Sequence, residues 1–393
     1  MPVGIDRVVS HPVTRWALRL LGLAFAAYVA WAALFGEDLA TNPTLGVFYV
    51  YLWVGMVALS LLVGNVWPLL SPMRTLHRLV CRAFGANPQV GLAEYPRWLG
   101  RWPAALGLFA FVWTELVYPD AAYVVTVVVW VTLYAAAMLV GSAVFGSGWF
   151  VHADPFEVYF TLVARLSPWG RLRDASSTND GRLVVRSSLN NLDGVSAGPG
   201  LVAVLAVLLG STAFDSLSAS NFWLAQTAQP GAFNPVLRDT LVLAALVAFV
   251  ALTFCAAAML APGITRRERQ LMPTVLAHSL LPITVGYMFA HYLTLLLEYG
   301  QQTLVQLSDP LASGANYLGT ADNGVSFFLS SRPELLAALK VAFIVAGHVA
   351  GVVTAHDRAV RVLPARHAVV GQIAMLTVMV VYTVGGLLLL FNS

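Results

Sequence analysis

The chain has 393 residues, of which 59% are hydrophobic and only 10% are charged. A soluble domain carries about a quarter charged residues, so this composition excludes a water-soluble globular protein of this size. The formal net charge of +3 gives no indication of a nucleic-acid partner, and Cys81 and Cys255 form neither a CxxC pair nor a disulfide framework. The composition therefore predicts an all-α polytopic membrane protein with the lipid bilayer as its main partner.

Nine apolar stretches predict transmembrane helices, because a span needs roughly 20 mostly apolar residues. The first is flanked by Arg15 and Arg19 and is predicted to be a signal-anchor helix rather than a cleavable signal peptide. The fifth is the shortest, and it ends in a polar run at residues 211–215. In chain order, the stretches cover about residues 15–35, 46–69, 103–119, 121–145, 199–213, 237–260, 272–299, 335–355 and 367–390.

The basic residues test the number and direction of these spans, because cytoplasmic loops carry an excess of Lys and Arg. With the N-terminus in the cytoplasm, all but three of the 22 basic residues fall on inner segments. The three on outer segments are Arg238, Arg332 and Lys340. Adding or removing one central span would destroy this alternation. The sequence therefore predicts nine spans, with the N-terminus inside and the C-terminus outside.

Two further helices are predicted to lie at the membrane interface, each directly after a span. Ser71 and Asp154 are N-cap residue types, and each is followed by a proline at the first helical position. Glu157 completes a capping arrangement in the second case. The predicted helices cover about residues 72–84 and 155–166, and the first has one basic and one apolar face.

The chain is predicted to form a single integral membrane domain, residues 1–393. The similar segments after the second and fourth spans predict a parallel repeat of residues 15–84 and 103–166. The polar segment at about 170–198 is predicted to be a cytoplasmic loop.

Ionisable side chains within the predicted spans are few, and each marks a candidate functional site because a charged group is costly in hydrocarbon. At about 1.5 Å per residue, Glu115, Asp215 and His291 fall in the outer half of the membrane, and His348 falls slightly inside the midplane. A second grouping nearer the inner face consists of His278, His356 and Asp357.

Imidazole and carboxylate ligands suit zinc, iron or copper, and three such ligands with an open position form a hydrolytic site. In this hypothesis Asp215, His291 and His348 bind a divalent metal, and Glu115 is the general base that activates a bound water. No HExxH motif or other tight ligand spacing is present. The substrate would be an apolar small molecule, such as a phosphotriester, that arrives from the lipid.

Each of these residues also has a structural interpretation. Asp215 also fits the N-cap of a short outer helix that begins at Ser216, and Glu115 also fits an interfacial position that reaches water. The buried histidines also fit hydrogen bonding between helices, and His356 with Asp357 also fits an ordinary helix end in water.

Two other functional classes fit the same residues. In a proton- or ion-coupled transporter they would line a path across the membrane. In a non-catalytic subunit of a larger membrane complex they would have no chemical role. A polar path through the whole bundle favours transport, whereas a closed pocket with a tetrahedral ligand set favours the hydrolase.

Five short strings extend from the third span to the eighth: Gly-Arg-Trp-Pro at 100–103, Phe-Val-Trp-Thr-Glu-Leu-Val at 111–117, Gly-Ser-Thr-Ala-Phe-Asp at 210–215, Ala-His-Tyr at 290–292 and Gly-His-Val-Ala-Gly-Val-Val-Thr-Ala-His-Asp at 347–357. Together they resemble a group of prokaryotic integral membrane proteins labelled fenitrothion hydrolase-like. The resemblance implies a membrane-embedded organophosphate hydrolase in a prokaryotic plasma membrane. It brings no established catalytic residues with it.

Overall fold

The structure is a computed structural model that describes residues 3–172, 182–228 and 234–391. Helix accounts for 74% of it. Within the described ranges, the only sheet is an antiparallel pair, β1 (Trp169–Leu172) and β2 (Arg182–Val185), in which Trp169 is opposite Val185. The all-α prediction is confirmed. Residues 173–181 of the predicted cytoplasmic loop lie outside the described part of the chain.

Eight helices in the described ranges are long and apolar enough to cross a bilayer, and a ninth apolar helix is shorter. They match the nine predicted spans one to one, so the chain is a multi-pass membrane protein. Their orientation in the membrane stays a prediction. In chain order they are α1 (Pro12–Phe35), α2 (Pro43–Val63), α3 (Trp102–Leu116, the short one), α4 (Val124–Phe145), α5 (Leu201–Ser218), α6 (Pro235–Met259), α7 (Arg266–Ser308), α8 (Pro333–Val362) and α9 (Val370–Phe391).

Shorter helical segments connect these nine or precede them. The predicted helices after the second and fourth spans are both present. The short segments are Val3–Ser10, Trp67–Leu70, Pro72–Ala83, Gly148–Ala153, Pro155–Val163, Ala164–Leu166, Ser188–Leu192, Asn221–Thr227 and Ala365–His367.

The described residues divide into two compact units. The first comprises the described parts of Met1–Leu99, Ala122–Val195 and Leu295–Ser326. The second comprises the described parts of Gly100–Ala121, Ser196–Thr294 and Phe327–Ser393. The single-domain and parallel-repeat interpretations stay predictions.

In the first unit a buried ion pair joins two short helices, one between α2 and α3 and the other after α4. The Ser71 hydroxyl caps one helix by accepting from the Arg74 N–H at 3.3 Å, and the Asp154 carboxylate caps the other by accepting from the Phe156 N–H at 3.0 Å. Arg74 and Glu157 are each the third residue of their helix. The Arg74 guanidinium donates to both Glu157 oxygens, with Nε–Oε2 at 2.8 Å and Nη2–Oε1 at 2.5 Å. The Pro155–Val163 helix is buried at all but one of its residues.

Asp154 is a second buried carboxyl in this cluster, and its charge should make stability depend on pH. It is completely buried, and the Tyr134 hydroxyl donates to it at 3.1 Å. Burial, followed by the nearby Glu157 charge, raises the pKa of Asp154 from its usual 3.8 to about 7. Between these two values the folded protein holds a proton that the unfolded chain has released. Stability therefore falls as pH rises from about 4 to about 7, and this contribution is constant above about 7.

The Asp154→Asn variant should lose this part of the pH dependence, since the amide does not titrate. The melting temperature of the purified protein, measured in detergent from pH 4.5 to 8, should fall less steeply with pH in the variant than in the wild type. Glu94→Gln, at an exposed carboxyl, is the matched control and should keep the wild-type slope. Parallel slopes for Asp154→Asn and the wild type would contradict the assignment.

In the second unit, glycines let α7 and α8 approach each other closely. A Cβ at Gly347 would lie 2.6 Å from the Pro282 carbonyl oxygen, and one at Gly351 would lie 2.8 Å from the Ser279 carbonyl oxygen. A Cβ at Gly286 would lie 2.5 Å from the Phe343 carbonyl oxygen. Small residues four apart are a usual device for helix contact in membranes, where van der Waals packing replaces the hydrophobic effect.

A glycine on α9 provides a sharp test of packing against α7. The Tyr287 hydroxyl donates to the Tyr382 carbonyl oxygen at 2.7 Å, and a Cβ at Gly386 would overlap that hydroxyl. Gly386→Ala should therefore displace the tyrosine ring, break its hydrogen bond and destabilise the protein by about 1–3 kcal/mol. Nothing lies within 4 Å of a Cβ at the neighbouring Gly385. Gly385→Ala should leave stability within about 1 kcal/mol of the wild type, as measured by unfolding in mixed micelles.

Candidate functional site

The site begins on the last turn of α5, which is longer than predicted. The helix continues to Ser218, so Asp215 is an internal helical residue. The next helix, Asn221–Thr227, is capped by the Ser220 side chain. The structural alternative, in which Asp215 caps a helix beginning at Ser216, is therefore wrong. The hydroxyl groups of the polar run at the end of this span are satisfied within the helix, as the Thr212 hydroxyl donates to the Leu208 carbonyl oxygen at 2.9 Å.

Asp215 is the centre of a hydrogen-bonded network with two neighbours from α7. Its Oδ2 atom lies 2.8 Å from His291 Nε2 and accepts from the Tyr292 hydroxyl at 2.6 Å. The other nitrogen of the imidazole, Nδ1, lies 3.3 Å from the Ser216 hydroxyl. Both ring nitrogens of His291 are thus engaged, in the order hydroxyl, imidazole, carboxylate. With Nε2–H donating to Asp215, Nδ1 accepts from Ser216, so the bonding pattern is consistent with a single neutral tautomer.

The network is partly accessible, because the side chains of His291 and Asp215 are 15% and 21% exposed. Most of the surface of the pair therefore faces protein. When His291 is protonated, the pair is a charge-assisted hydrogen bond, which offsets the cost of the Asp215 charge in an apolar setting.

Glu115, the predicted general base, lies on α3 near this network. It is close enough to Asp215 for the two carboxylates to repel each other. Its Oε2 atom is buried and has no hydrogen-bond partner in the described ranges. Two residues before Glu115, the Trp113 indole donates to the Thr240 hydroxyl at 2.8 Å. This hydrogen bond joins the same turn of α3 to α6.

His348, a predicted metal ligand, lies on α8 and is 6% exposed. Its Nδ1 lies 2.8 Å from the Ile344 carbonyl oxygen, so Nδ1 carries the proton. Nε2 is then a buried acceptor, and it has no hydrogen-bond partner among the described residues. The ring packs edge-on against Tyr287, with the two ring centroids 5.6 Å apart.

The predicted three-residue metal site is not assembled. No group of three or more His, Cys, Asp or Glu side chains able to hold a metal ion is present among the described residues. Asp215 and His291 come together, whereas His348 does not complete a ligand set with them. The imidazoles are already used in hydrogen bonds. Both nitrogens of His291 are bonded within the network, and Nδ1 of His348 is bonded to a carbonyl of its own helix.

The three secondary candidates have different surroundings. His278 is buried in a 3-10 turn, Ala277–Ser279, within α7. This turn precedes Pro282, which has no N–H to bond the carbonyl four residues earlier, and that loss favours a local change of helix type. His356 and Asp357 are exposed helical residues in the last two turns of α8, and His356 Nδ1 lies 3.0 Å from the Gln372 side-chain oxygen.

Three residues of the site were not selected from the sequence: Ser216, Tyr292 and Tyr287. Each is uncharged, so the cost of burying a charge gave no reason to select it. Their positions relative to Asp215 and His291 could nonetheless have identified them. Ser216 and Tyr292 directly follow Asp215 and His291, and Tyr287 lies four residues before His291, on the same side of α7.

No known protein family, no curated protein sequence and no solved structure matches the chain.

Proposed function

We propose that the protein is a proton-coupled transporter of a small solute, in a prokaryotic plasma membrane, and that the Asp215–His291 pair is its proton-binding site. The observation that carries the proposal is the Asp215 carboxylate held at 2.6–2.8 Å between Tyr292 and His291 within an apolar helix bundle. Ionisable groups at membrane depth usually mark ion or proton pathways.

The pair has the properties that proton coupling requires. Protonating it changes the net charge of a partly buried site by one, which changes its affinity for a charged or polar solute. Glu115 adds a second carboxylate with a buried oxygen that lacks a partner, so a proton or a cationic group of the solute has an acceptor beside Asp215.

A route for the proton continues along α7 and α8. Tyr287 is four residues before His291 on α7, and its ring contacts His348 on α8. His348 has a free acceptor nitrogen in a buried position. His278 lies on α7, nine residues before Tyr287 and toward the predicted cytoplasmic side. Together these residues provide groups that can carry a proton at several depths along α7 and α8.

A second candidate function is a hydrolase that uses a serine nucleophile. Ser216, His291 and Asp215 have the hydroxyl–imidazole–carboxylate order that activates a nucleophile in unrelated hydrolases. His291 would accept the hydroxyl proton as the Ser216 oxygen attacks the phosphorus of an apolar organophosphate ester, and Asp215 would stabilise the imidazolium. The imidazolium would give that proton to the departing alcohol or phenol as its P–O bond breaks, and water would then hydrolyse the phosphorylated Ser216. The sequence resemblance to fenitrothion hydrolase-like proteins points to the same substrate class.

One experiment separates the two candidates. Purified protein is reconstituted into liposomes that contain a pH-sensitive dye, and proton entry is followed while amino acids, sugars, organic acids and cations are added in turn. We expect one class to accelerate proton entry in both the wild type and Ser216→Ala. If no class does so, and a chromogenic phosphotriester is hydrolysed by the wild type but not by Ser216→Ala, the hydrolase replaces the transporter.

A further inference from the structure

The first unit contains a cluster of arginines in the first turns of α1 and on the helix Pro72–Ala83. The Arg78 guanidinium is repelled by the positive charges of Arg19, Arg74 and Arg15, and it is attracted by Glu157. Glu157 is already bonded through both oxygens to Arg74. The cluster therefore carries excess positive charge in a partly buried position, and such a position favours an anionic ligand.

Two atoms of this cluster lack hydrogen-bond acceptors. Nε of Arg19 and Nε of Arg78 are both buried, and neither has a partner in the described ranges. The whole Arg19 residue is only 6% exposed. A buried guanidinium N–H normally has an acceptor, because leaving it unpaired costs free energy. Burial, followed by the Arg19 charge, lowers the pKa of Arg78 to about 10, so Arg78 remains charged at neutral pH.

An apolar cavity of about 610 Å³ begins beside these arginines. Gly22 and Pro72 line its near end, three residues after Arg19 and two before Arg74, and Leu34 and Thr44 line its far end. Along α1 the lining extends from Leu21 to Leu34, which is about 20 Å at 1.5 Å per residue. One leaflet of a bilayer has a hydrocarbon thickness of about 15 Å, so the cavity is long enough to hold an acyl chain.

We propose that the first unit binds an anionic phospholipid, with its phosphate at Arg19 and Arg78 and an acyl chain in this cavity. The charge cluster and the apolar cavity are adjacent, as the head and tail of one amphiphile require. Trp16 lies beside the cluster, with the Arg19 and Arg82 guanidinium carbons 5.2 Å and 5.9 Å from its ring centroid. A tryptophan with arginines is typical of the headgroup level of a membrane, where a lipid phosphate lies.

The headgroup is tested by native mass spectrometry of the protein in detergent, titrated with phosphatidylglycerol or with phosphatidylcholine. We expect the wild type to bind phosphatidylglycerol in preference. Arg19→Gln combined with Arg78→Gln should bind it about thirty-fold more weakly, the loss expected for two arginine–phosphate attractions. The matched control, Arg266→Gln with Arg267→Gln, removes two exposed arginines of the second unit and should bind like the wild type. Equal binding of both lipids by the wild type would overturn the proposal.

The cavity is tested separately, so that a folding defect of the arginine variant leaves the proposal falsifiable. Ala26 lines the cavity, whereas its neighbour Ala27 does not. Ala26→Trp should fill the cavity and abolish the rise in melting temperature that added phosphatidylglycerol gives, while Ala27→Trp should preserve that rise. Inorganic phosphate should give no such rise. Unchanged stabilisation in Ala26→Trp, or equal stabilisation by inorganic phosphate, would contradict a lipid ligand.

Discussion

Arg74→Ala should destabilise the protein by about 3–5 kcal/mol, the usual cost of breaking a buried ion pair by removing one partner. Arg74 and Glu157 are both buried, and the variant would leave Glu157 without its counter-charge. Burial raises the pKa of Glu157 above its usual value even with Arg74 present, so loss of Arg74 should raise it further and leave the carboxyl protonated.

The measurement is the free energy of unfolding in mixed micelles containing a denaturing detergent. Arg82→Ala, which removes an exposed arginine from the same helix, is the control and should cost less than about 1 kcal/mol. Arg74→Met combined with Glu157→Met should be more stable than Arg74→Ala alone, since neither charge is then left unpaired. If Arg74→Ala and Arg82→Ala were equally stable, the ion pair would have no structural role.

Asp215→Asn should reduce solute-coupled proton entry by about a hundredfold or more, the typical contribution of a positioned proton-transfer group. The amide keeps the size of the side chain and can still accept from the Tyr292 hydroxyl. It cannot accept a proton at neutral pH, and it removes the charge that stabilises a protonated His291. The expected effect is therefore on coupling rather than on folding.

Proton entry in the liposome assay provides the measurement, with the melting temperature as a check that the fold is retained. His291→Gln should give a loss of similar size. Asp239→Asn is the matched control, because Asp239 pairs with its neighbour Arg238 at the start of α6 and takes no part in the network. Wild-type coupling in Asp215→Asn would rule out this carboxylate as the proton-binding group.

Much of the architecture follows from the sequence because bilayer thickness limits the length of a span. The nine apolar stretches became nine helices, and Ser71 and Asp154 cap the two short helices that their sequences predict. The error at the end of α5 has a specific cause. The run at 211–215 is polar, but its hydroxyl groups bond within the helix, so polarity alone did not end the helix there.

The candidate site was only partly predictable. Burial cost selected Asp215, His291 and Glu115, which the structure brings near one another. His348 was likewise predicted to be a metal ligand, yet its Nδ1 proton is bonded to the Ile344 carbonyl of its own helix. Depth in the membrane can be estimated from the sequence, whereas the rotation of each helix and the rotamer of each side chain depend on packing. Those two properties decide which imidazole nitrogen meets which oxygen.

The first unit is assembled from three separate stretches of chain, and this has a consequence for biosynthesis. The Tyr28 hydroxyl on α1 donates to the Leu307 carbonyl oxygen, and the Tyr51 hydroxyl on α2 donates to the Gly300 carbonyl oxygen, each at 2.6 Å. Those acceptors are translated 279 and 249 residues after their donors. Helices that enter the membrane first must therefore wait for α7 to leave the ribosome. In a nascent chain stalled after α6, both tyrosine hydroxyls would lack these acceptors. The first unit would be incomplete and therefore a substrate for quality-control proteases.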